Sequence, residues 1–151
     1  MTAEVAVRAR RVRLLLFDVD GVLTDGTILL DAEGRESKRF SIRDGTALVW
    51  ARQAGLLTGV LSARTAAATT ERARQLGIPI VRQQASDKAA TFAEILAEQR
   101  LDAAEAVRAR VHWVSRLPGG SGAVRELIEG VLHAQGLWGG IAARYGLEAA
   151  E

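Results

Sequence analysis

Short apolar runs alternate along the chain with segments of helical periodicity. The runs cover residues 12–17, 56–61 and 78–81, and each is mostly aliphatic rather than regularly alternating with polar positions. Runs of this kind are typical of strands that are covered on both faces, as in a parallel sheet. Because helical segments separate them, the order predicts β-α-β-α units with right-handed crossovers. We therefore expect an α/β fold, a Rossmann-like three-layer sandwich around a parallel sheet.

Four segments carry helix signals. Residues 44–54 and 65–76 are each followed directly by a glycine, which commonly ends a helix. Residues 86–98 begin at a serine, a good N-cap, and repeat apolar residues at helical spacing. The last predicted helix, residues 122–134, places its apolar side chains on one face. Helices on both faces of the sheet follow from this order.

One insertion interrupts the alternation after the first strand. Residues 27–42 contain two β-prone runs around Asp31-Ala32-Glu33-Gly34, a sequence that predicts a β-hairpin with glycine in its turn. The hairpin is expected to project above the end of the first strand. No repeat or linker divides the chain, so residues 1–151 are interpreted as a single domain, with a weakly patterned tail at 136–151.

Composition narrows the class of protein. The chain has 151 residues, of which 48% are hydrophobic and 25% charged, as expected of one globular domain. It has no cysteine, which excludes disulfides and thiolate metal sites and suits a cytoplasmic location. No segment predicts a membrane span, and the formal charge of +2 suits a small anionic substrate better than nucleic acid. The arginines of residues 8–13 are interpreted as a solvated N-terminal arm.

Two acids follow the first strand one residue apart. Asp18 and Asp20 lie on the same side of an extended chain, at the strand end where ligands bind in such folds. One carboxylate can attack phosphorus to give an aspartyl-phosphate while the other exchanges a proton with the leaving oxygen. We assign Asp18 as nucleophile and Asp20 as acid/base. Two anions facing a phosphate ester require a hard cation, so both are also predicted ligands of Mg²⁺.

Later strand ends supply polar groups for a phosphoryl group. Ser62 follows the second strand and can donate a hydrogen bond, and Arg64 stands beside it. Lys88 lies in the first turn of its helix, where an ammonium group can neutralise charge on nucleophile and phosphate. These groups are predicted to meet above the sheet.

The ordered motifs resemble the haloacid dehalogenase-like phosphatase superfamily. They are DVDGVLTDG at residues 18–26, the Ser-x-Arg at 62–64, and the lysine at 88. The hairpin, the FSIRDG at 40–45 and the PGGSGAVRE at 118–126 are similar to the small capless branch typified by 3-deoxy-D-manno-octulosonate 8-phosphate (KDO 8-phosphate) phosphatase.

This resemblance implies a function, an assembly and a set of substrate contacts. It implies Mg²⁺-dependent release of phosphate from a phosphorylated sugar acid, most simply KDO 8-phosphate, in lipopolysaccharide biosynthesis. It also implies a homotetramer held together through the 27–42 hairpins. Carried over by position, the implied substrate contacts are Ser41, Ile42, Arg43, Asp44, Gly45, Arg64, Arg72 and Lys88.

One feature of that family has no counterpart here. The family carries, after its third helix, a further strand that ends in Gly-Asp-Asp and completes the metal site, whereas this chain passes directly to residues 108–115. The only acids nearby, Asp102 and Glu105, lie in a helix-favouring stretch. The missing strand would flank the first one, so residues 111–115 (VHWVS) are a candidate to pair at that edge.

Simpler interpretations stand beside these. Asp18 and Asp20 could be solvated turn residues, Ser62 a helix cap, Lys88 a solvated helix residue, and Arg43 with Asp44 a turn and a cap. Two functional classes remain. One is an active Mg²⁺-dependent phosphatase. The other is a catalytically impaired relative that lacks the last metal-ligand motif and acts as an oligomeric binding or structural protein.

Overall fold

The computed structural model describes residues 2–101 and 113–147 and confirms the predicted α/β class. Its elements alternate as predicted, with a short two-stranded hairpin after the first strand and one helix before it. In chain order they are α1 (Ala3–Ala9), β1 (Leu14–Phe17), β2 (Leu29–Leu30), β3 (Glu36–Ser37), α2 (Ile42–Gln53), β4 (Leu57–Leu61), α3 (Ala67–Leu76), β5 (Ile80–Arg82), α4 (Lys88–Gln99), α5 (Ala123–Ala134) and α6 (Trp138–Tyr145).

The main sheet is parallel, with the strand order β1-β4-β5. Its register pairs Leu16 with Gly59 and Gly59 with Ile80. A Cβ atom added at Gly59 would lie 2.7 Å from Leu16 Cδ1 and 2.9 Å from Ile80 Cβ, so the central strand has no room for a side chain there. Because the three strands are parallel, their carboxyl ends lie at the same edge of the sheet, which carries the polar residues predicted from the sequence.

Helices cover the sheet on both faces. The larger apolar cluster joins β1 and β4 to α1, α2, α5 and α6, with Leu48, Ile128 and Leu132 among its fully buried side chains. A smaller cluster places Ile95 and Leu96 of α4 against Leu14 and Ile80. The chain therefore crosses to the opposite face with α4, which confirms the three-layer arrangement.

The predicted hairpin is present but its strands are short. β2 and β3 contribute two residues each and pair antiparallel, with Leu29 opposite Ser37. The turn closes as predicted: the N–H of Gly34 donates to the carbonyl oxygen of Asp31, and Gly34 adopts a positive φ of 77°. The hairpin leaves apolar side chains in solvent, with Ile28, Leu29 and Leu30 all exposed.

Two helices were not predicted. α1 ends within residues 8–13, the segment interpreted as a solvated arm. Its packing is fixed by Arg10, which donates to the carbonyl oxygen of Ala134, and by Gln135, whose amide donates to the carbonyl oxygens of Ala9 and Val12. α6 lies in the tail, where Trp138 packs edge-on against Trp50 at 5.5 Å between ring centroids. Tertiary packing supplies the stability that the local pattern lacks.

The region of the missing acidic motif is described only in part. Residues 113–115 form no strand, while Asp102, Glu105 and residues 111–112 lie outside the described residues. Within the described chain β1 has β4 as its sole strand neighbour, so residues 113–115 do not pair at the free edge of β1, and pairing by residues 111–112 stays a prediction. In the part of the chain that the structure describes, no helix has the length and apolar character needed to cross a membrane.

Candidate active site

The turn after β1 holds the two predicted catalytic acids. Asp18 accepts a hydrogen bond from the N–H of Val19 at 2.8 Å, and its second oxygen accepts one from the ammonium of Lys88 at 2.7 Å. Gly21 has a positive φ of 80°, a conformation that glycine adopts without strain. The turn therefore presents both carboxylates at the strand end, and α4 delivers Lys88 to the first of them.

Asp20 is held by a different cation, which the sequence motifs did not single out. The ammonium of Lys38 contacts Asp20 Oδ1 and also lies 2.7 Å from Glu36 Oε1. Burial alone would lower the pKa of Lys38, but its contacts with Asp20 and Glu36 outweigh burial and raise that pKa. Glu36 and Lys38 are two residues apart, so they project from the same side of the hairpin strand. The two-residue spacing of Glu36 and Lys38 is the sequence signal that could have indicated that both side chains face Asp20.

Arg64 joins the same group of charges. Its Nη2 donates to Glu36 Oε2 at 2.5 Å, and its Nε lies 3.8 Å from Asp20 Oδ2. Lys38 and Arg64 together hold the pKa of the Glu36 carboxyl below its usual range. The hairpin and the end of β4 are thus linked to Asp20 through alternating charges, which we call the charge ring: Asp20, Lys38, Glu36 and Arg64.

Ser62 lies at the end of β4 and is buried. Its backbone N–H donates to the carbonyl oxygen of Arg82, and its Oγ accepts the N–H of Arg64 at 3.2 Å. The hydroxyl therefore stands at the carboxyl edge of the sheet and orders the turn that carries Arg64. Its predicted hydrogen bond to a phosphoryl oxygen stays a prediction.

Thr24 organises the catalytic turn and was missed in the sequence. Its side chain is 2% exposed, and its hydroxyl donates to the carbonyl oxygen of Val19 while the N–H groups of Gly21 and Gly26 donate to it, each at 3.3 Å. One hydroxyl therefore satisfies three backbone groups of the turn.

Asp25 also stabilises this loop. Hydrogen bonds from the N–H of Thr27 and from Arg39 lower the pKa of its carboxyl group.

The first turn of α2 uses its predicted contact residues in two ways. Ser41 is the N-cap and accepts the N–H of Asp44, whereas Ile42 is 80% exposed. Asp44 is 1% exposed, and its two oxygens accept the N–H groups of Gly122 at 3.1 Å and Arg125 at 2.8 Å. Its carboxylate caps α5 from a neighbouring helix, in line with the simpler interpretation of this residue as a cap.

Gly45 and Arg72 belong together. A Cβ atom at Gly45 would collide with the guanidinium of Arg72, whose buried Nε has no hydrogen-bond partner among the described residues. Both line a cavity of about 20 Å³ together with Ser41 and Asp44. That volume fits about one water molecule and not a sugar acid. Substrate contact by these residues stays a prediction.

Arg43 faces a separate open cleft of about 400 Å³ at the start of α5. The cleft volume lies in the range of small-molecule sites. Arg116 and Arg125 also line it, but they pair with Glu126 and Glu129 at 2.6 Å each. Among the described residues Arg43 has no such carboxylate partner, so its charge is available to an anionic ligand.

The glycine-rich loop before α5 supports the catalytic turn from above. A Cβ atom at Gly119 would collide with the carbonyl oxygen of Gly21 and lie 3.1 Å from that of Thr24. At Gly120 it would lie 2.6 Å from the backbone N of Asp25. The N–H of Gly120 also donates to the carbonyl oxygen of Val22. Backbone touches backbone here, and only glycine allows it.

Replacing Gly119 by alanine is therefore expected to displace the catalytic turn. We expect a loss of about 1–3 kcal/mol in the free energy of unfolding, measured with urea, together with a lower kcat/KM. The control is Gly139→Ala in α6, where an added Cβ meets nothing within 4 Å and alanine favours the helix. Equal stability of the two variants would contradict this close approach.

Glu126 ties the segment before the glycine loop to α5. Its carboxylate accepts hydrogen bonds from Ser115 Oγ at 2.7 Å and from the backbone and side chain of Arg116. These contacts lower the pKa of Glu126 from 4.5 to about 2, and the hydrogen bond from Ser115 has the largest effect. A carboxyl group whose pKa is lower in the folded state than in the unfolded state stabilises the protein at pH values above the unfolded-state pKa. This stabilisation is lost as the pH falls through the folded-state pKa.

Glu126→Gln is thus expected to lower the free energy of unfolding at neutral pH. The difference from the wild type should shrink between pH 4.5 and about 2 and be absent below that range. Urea unfolding across this range measures it. Glu4→Gln, which removes an exposed carboxylate paired with Arg8 in α1, is the control and should change little at any pH. If the difference in unfolding free energy between Glu126→Gln and the wild type did not change with pH, the hydrogen bonds of Glu126 with Ser115 and Arg116 would not be its cause.

The acids at the end of β1 suit a magnesium ion. No group of three or more His, Cys, Asp or Glu side chains that could hold a metal occurs in residues 2–101 and 113–147. Magnesium, however, usually keeps several waters and takes only one or two carboxylates plus phosphate oxygens of the substrate. Asp18, with or without Asp20, provides that minimal all-oxygen set, so the residues present fit the predicted ion.

Comparison with known proteins identifies a consistent set of relatives. No family model matches the chain. KDO 8-phosphate phosphatase KdsC of Escherichia coli is 30% identical, with 90% of this chain and 87% of the relative covered. The corresponding protein of Yersinia pestis is 31% identical over 87% of this chain and 86% of its own length.

Solved structures point to the same family as the sequence relatives. The crystal structure of KDO 8-phosphate phosphatase from Moraxella catarrhalis, in complex with magnesium ion, phosphate ion and KDO, superposes with a TM-score of 0.92. It is 26% identical, and the match covers 96% of this chain and 99% of that one. The alignment with the E. coli relative spans 164 positions, more than the 151 residues of this chain, so that relative carries residues with no counterpart here.

Proposed function

Because the chain belongs to the KDO 8-phosphate phosphatase family of the haloacid dehalogenase-like superfamily, we propose that it is a Mg²⁺-dependent phosphatase that releases phosphate from KDO 8-phosphate. One observation carries the chemistry. Asp18 and Asp20 stand at the end of β1, and each is bound by its own ammonium group, that of Lys88 and that of Lys38. The relatives supply the substrate class.

Asp18 is the nucleophile of this proposal. A carboxylate oxygen attacks phosphorus, the bond from phosphorus to the ester oxygen breaks, and an aspartyl-phosphate forms on Asp18. Lys88, 2.7 Å from Asp18 Oδ2, pairs with the nucleophile and balances charge on the phosphoryl group. A magnesium ion held by Asp18, with phosphate oxygens and water as its other ligands, would neutralise charge on the phosphoryl oxygens, and the Asp20 carboxyl would remain free to transfer protons.

Asp20 moves the protons. In its protonated form it gives a proton to the departing alkoxide of the sugar acid. As a carboxylate it then accepts a proton from the water that attacks the aspartyl-phosphate, which breaks the bond to Asp18 and releases phosphate. Ser62, Arg64 and Arg43 are the proposed contacts for the phosphoryl and carboxylate groups of the ligand, since arginine pairs with both.

The proposal is tested by phosphate release from KDO 8-phosphate. Purified protein with Mg²⁺ is expected to turn it over with saturation, and a chelator is expected to stop the reaction until Mg²⁺ is restored. Inactivity on this ester and on p-nitrophenyl phosphate, with correctly folded protein and several divalent metals, would exclude the phosphatase.

That negative outcome would favour the impaired relative. Two observations support this second candidate: the relatives carry residues that this chain lacks, and the described residues offer no third acidic metal ligand. Binding of KDO 8-phosphate without turnover would identify it.

We also propose that the hairpin of residues 27–42 assembles four copies of the chain. Its support is the cluster of exposed apolar side chains, with Leu30 64% exposed and Ile28 beside it. Leu30→Lys is expected to lower the mass measured by light scattering to that of a monomer. Val7→Lys, at an exposed apolar position of α1 outside the hairpin, is the control and should leave the mass unchanged. A monomeric wild type would contradict the assembly.

We further propose that residues 1–151 act as one hydrolase domain in the cytoplasm. In the part of the chain that the structure describes, the helices pack around one main sheet, and the lack of cysteine suits a reducing compartment.

A further inference from the structure

The base of the hairpin buries a cation that the catalytic motifs do not include. The side chain of Lys38 is only 4% exposed, and its ammonium contacts Asp20 Oδ1 and Glu36 Oε1. A buried ammonium is costly unless carboxylates pair with it. Lys38 is therefore held in place by the site, and Asp20 is held by Lys38.

The two oxygens of Asp20 have different surroundings. Oδ1 is taken by Lys38, whereas Oδ2 faces Arg64 Nε at 3.8 Å, beyond hydrogen-bond distance. Arg64 is itself drawn to Glu36 Oε2 at 2.5 Å. The charge ring thus anchors one oxygen of Asp20 and leaves the other available to a ligand.

We infer that Lys38 is a positioning residue for the acid/base step: it anchors Asp20 Oδ1 so that Oδ2 faces the leaving oxygen of the phosphate ester. This inference rests on the proposed phosphatase function, and it gives Lys38 no chemical step of its own. Asp18 has a separate cation, Lys88. Loss of Lys38 should therefore affect the step that needs Asp20 and spare the attack by Asp18.

Two esters with different leaving groups separate these steps. p-Nitrophenolate leaves without a proton, whereas the alkoxide of KDO requires one. The parameter kcat/KM reports the steps through the first irreversible one, which here is transfer to Asp18, so later hydrolysis of the aspartyl-phosphate does not mask the difference. Lys38→Met is expected to lower kcat/KM for KDO 8-phosphate roughly 10- to 100-fold and for p-nitrophenyl phosphate only slightly.

Asp20→Asn should show the same selective loss, and adding Lys38→Met to it should cost nothing further because the anchored group is gone. Arg35→Met removes an exposed cation from the same hairpin, one that pairs with Asp31 and Glu33, and should keep the wild-type ratio between the two esters. Lys38→Gln, which keeps a polar side chain, replaces Lys38→Met if the latter does not fold.

Equal losses on both esters, no loss on either, or independent effects of Lys38→Met and Asp20→Asn would overturn the positioning role. The first of these is expected if Lys38 only ties the hairpin to the domain. A folded wild type inactive on both esters would instead overturn the proposed function, and this inference with it.

Discussion

Asp18→Asn is expected to abolish phosphate release from KDO 8-phosphate. The amide cannot attack phosphorus, and among the described residues no other carboxylate pairs with Lys88. We expect kcat to fall by at least about 10³-fold, as is usual when a covalent nucleophile is removed. The assay measures inorganic phosphate with Mg²⁺ at saturating substrate.

Asp31→Asn provides the matched control. It makes the same chemical change at the turn of the hairpin, where Asp31 accepts hydrogen bonds from Glu33 and Arg35, and it should retain most of the activity. Activity in Asp18→Asn close to that of the wild type would exclude Asp18 as nucleophile.

Asp44→Asn is expected to cause the largest loss of stability among single changes near the site. The buried carboxylate accepts two backbone N–H groups at the start of α5, and an amide can accept with one oxygen only, while its NH₂ group would face a donor. We expect the free energy of unfolding, measured with urea, to fall by roughly 2–4 kcal/mol.

Asp87→Asn is the comparison for this change. Asp87 is the exposed N-cap of α4, where it accepts the N–H groups of Ala89 and Ala90, and asparagine caps a helix about as well as aspartate. Its stability should stay close to that of the wild type. If Asp44→Asn kept its stability but raised KM, Asp44 would be a substrate contact, as the family resemblance implies, and not a cap.

The main elements were predictable because each carries its own signal. The apolar runs at 12–17, 56–61 and 78–81 appear as β1, β4 and β5 with ends shifted by one or two residues. The end of α3 was marked by Gly77, which adopts a positive φ of 65°. The start of α4 moved from Ser86 to Asp87 because a carboxylate there accepts two backbone N–H groups. Local chemistry decided these boundaries.

Elements held by distant contacts could not be predicted in this way. α1 and α6 have weak local patterns, and their positions depend on partners such as Ala134, for Arg10, and Trp50, for Trp138. Residues 113–115 do not pair at the free edge of β1 for a related reason: Ser115 and Arg116 bind Glu126, which holds this segment against α5. Side-chain contacts override a β-prone sequence.

The position of Asp18 and Asp20 at the carboxyl edge of the sheet was predictable because the ends of parallel strands meet at one edge. Lys38 and Thr24 were not, since a lysine in a hairpin and a threonine in a turn are usually solvated. Only the folded hairpin brings Lys38 to Asp20 across eighteen positions of sequence. Asp44 shows the converse: its family position gave no sign that its carboxylate accepts two backbone N–H groups at the start of α5, and its substrate contact stays a prediction.

Detection of the aspartyl-phosphate tests the central claim most directly. KDO 8-phosphate is mixed with excess wild-type protein and Mg²⁺, the reaction is quenched in acid within milliseconds, and peptides are analysed by mass spectrometry. The Asp20→Asn variant is treated in parallel with p-nitrophenyl phosphate. Hydrolysis of the aspartyl-phosphate should be slow in this variant because the general base is missing. We predict one phosphoryl group on the peptide that carries Asp18, removed by hydroxylamine. Turnover with Asp18 unmodified at all times, or label on another residue, would contradict the account.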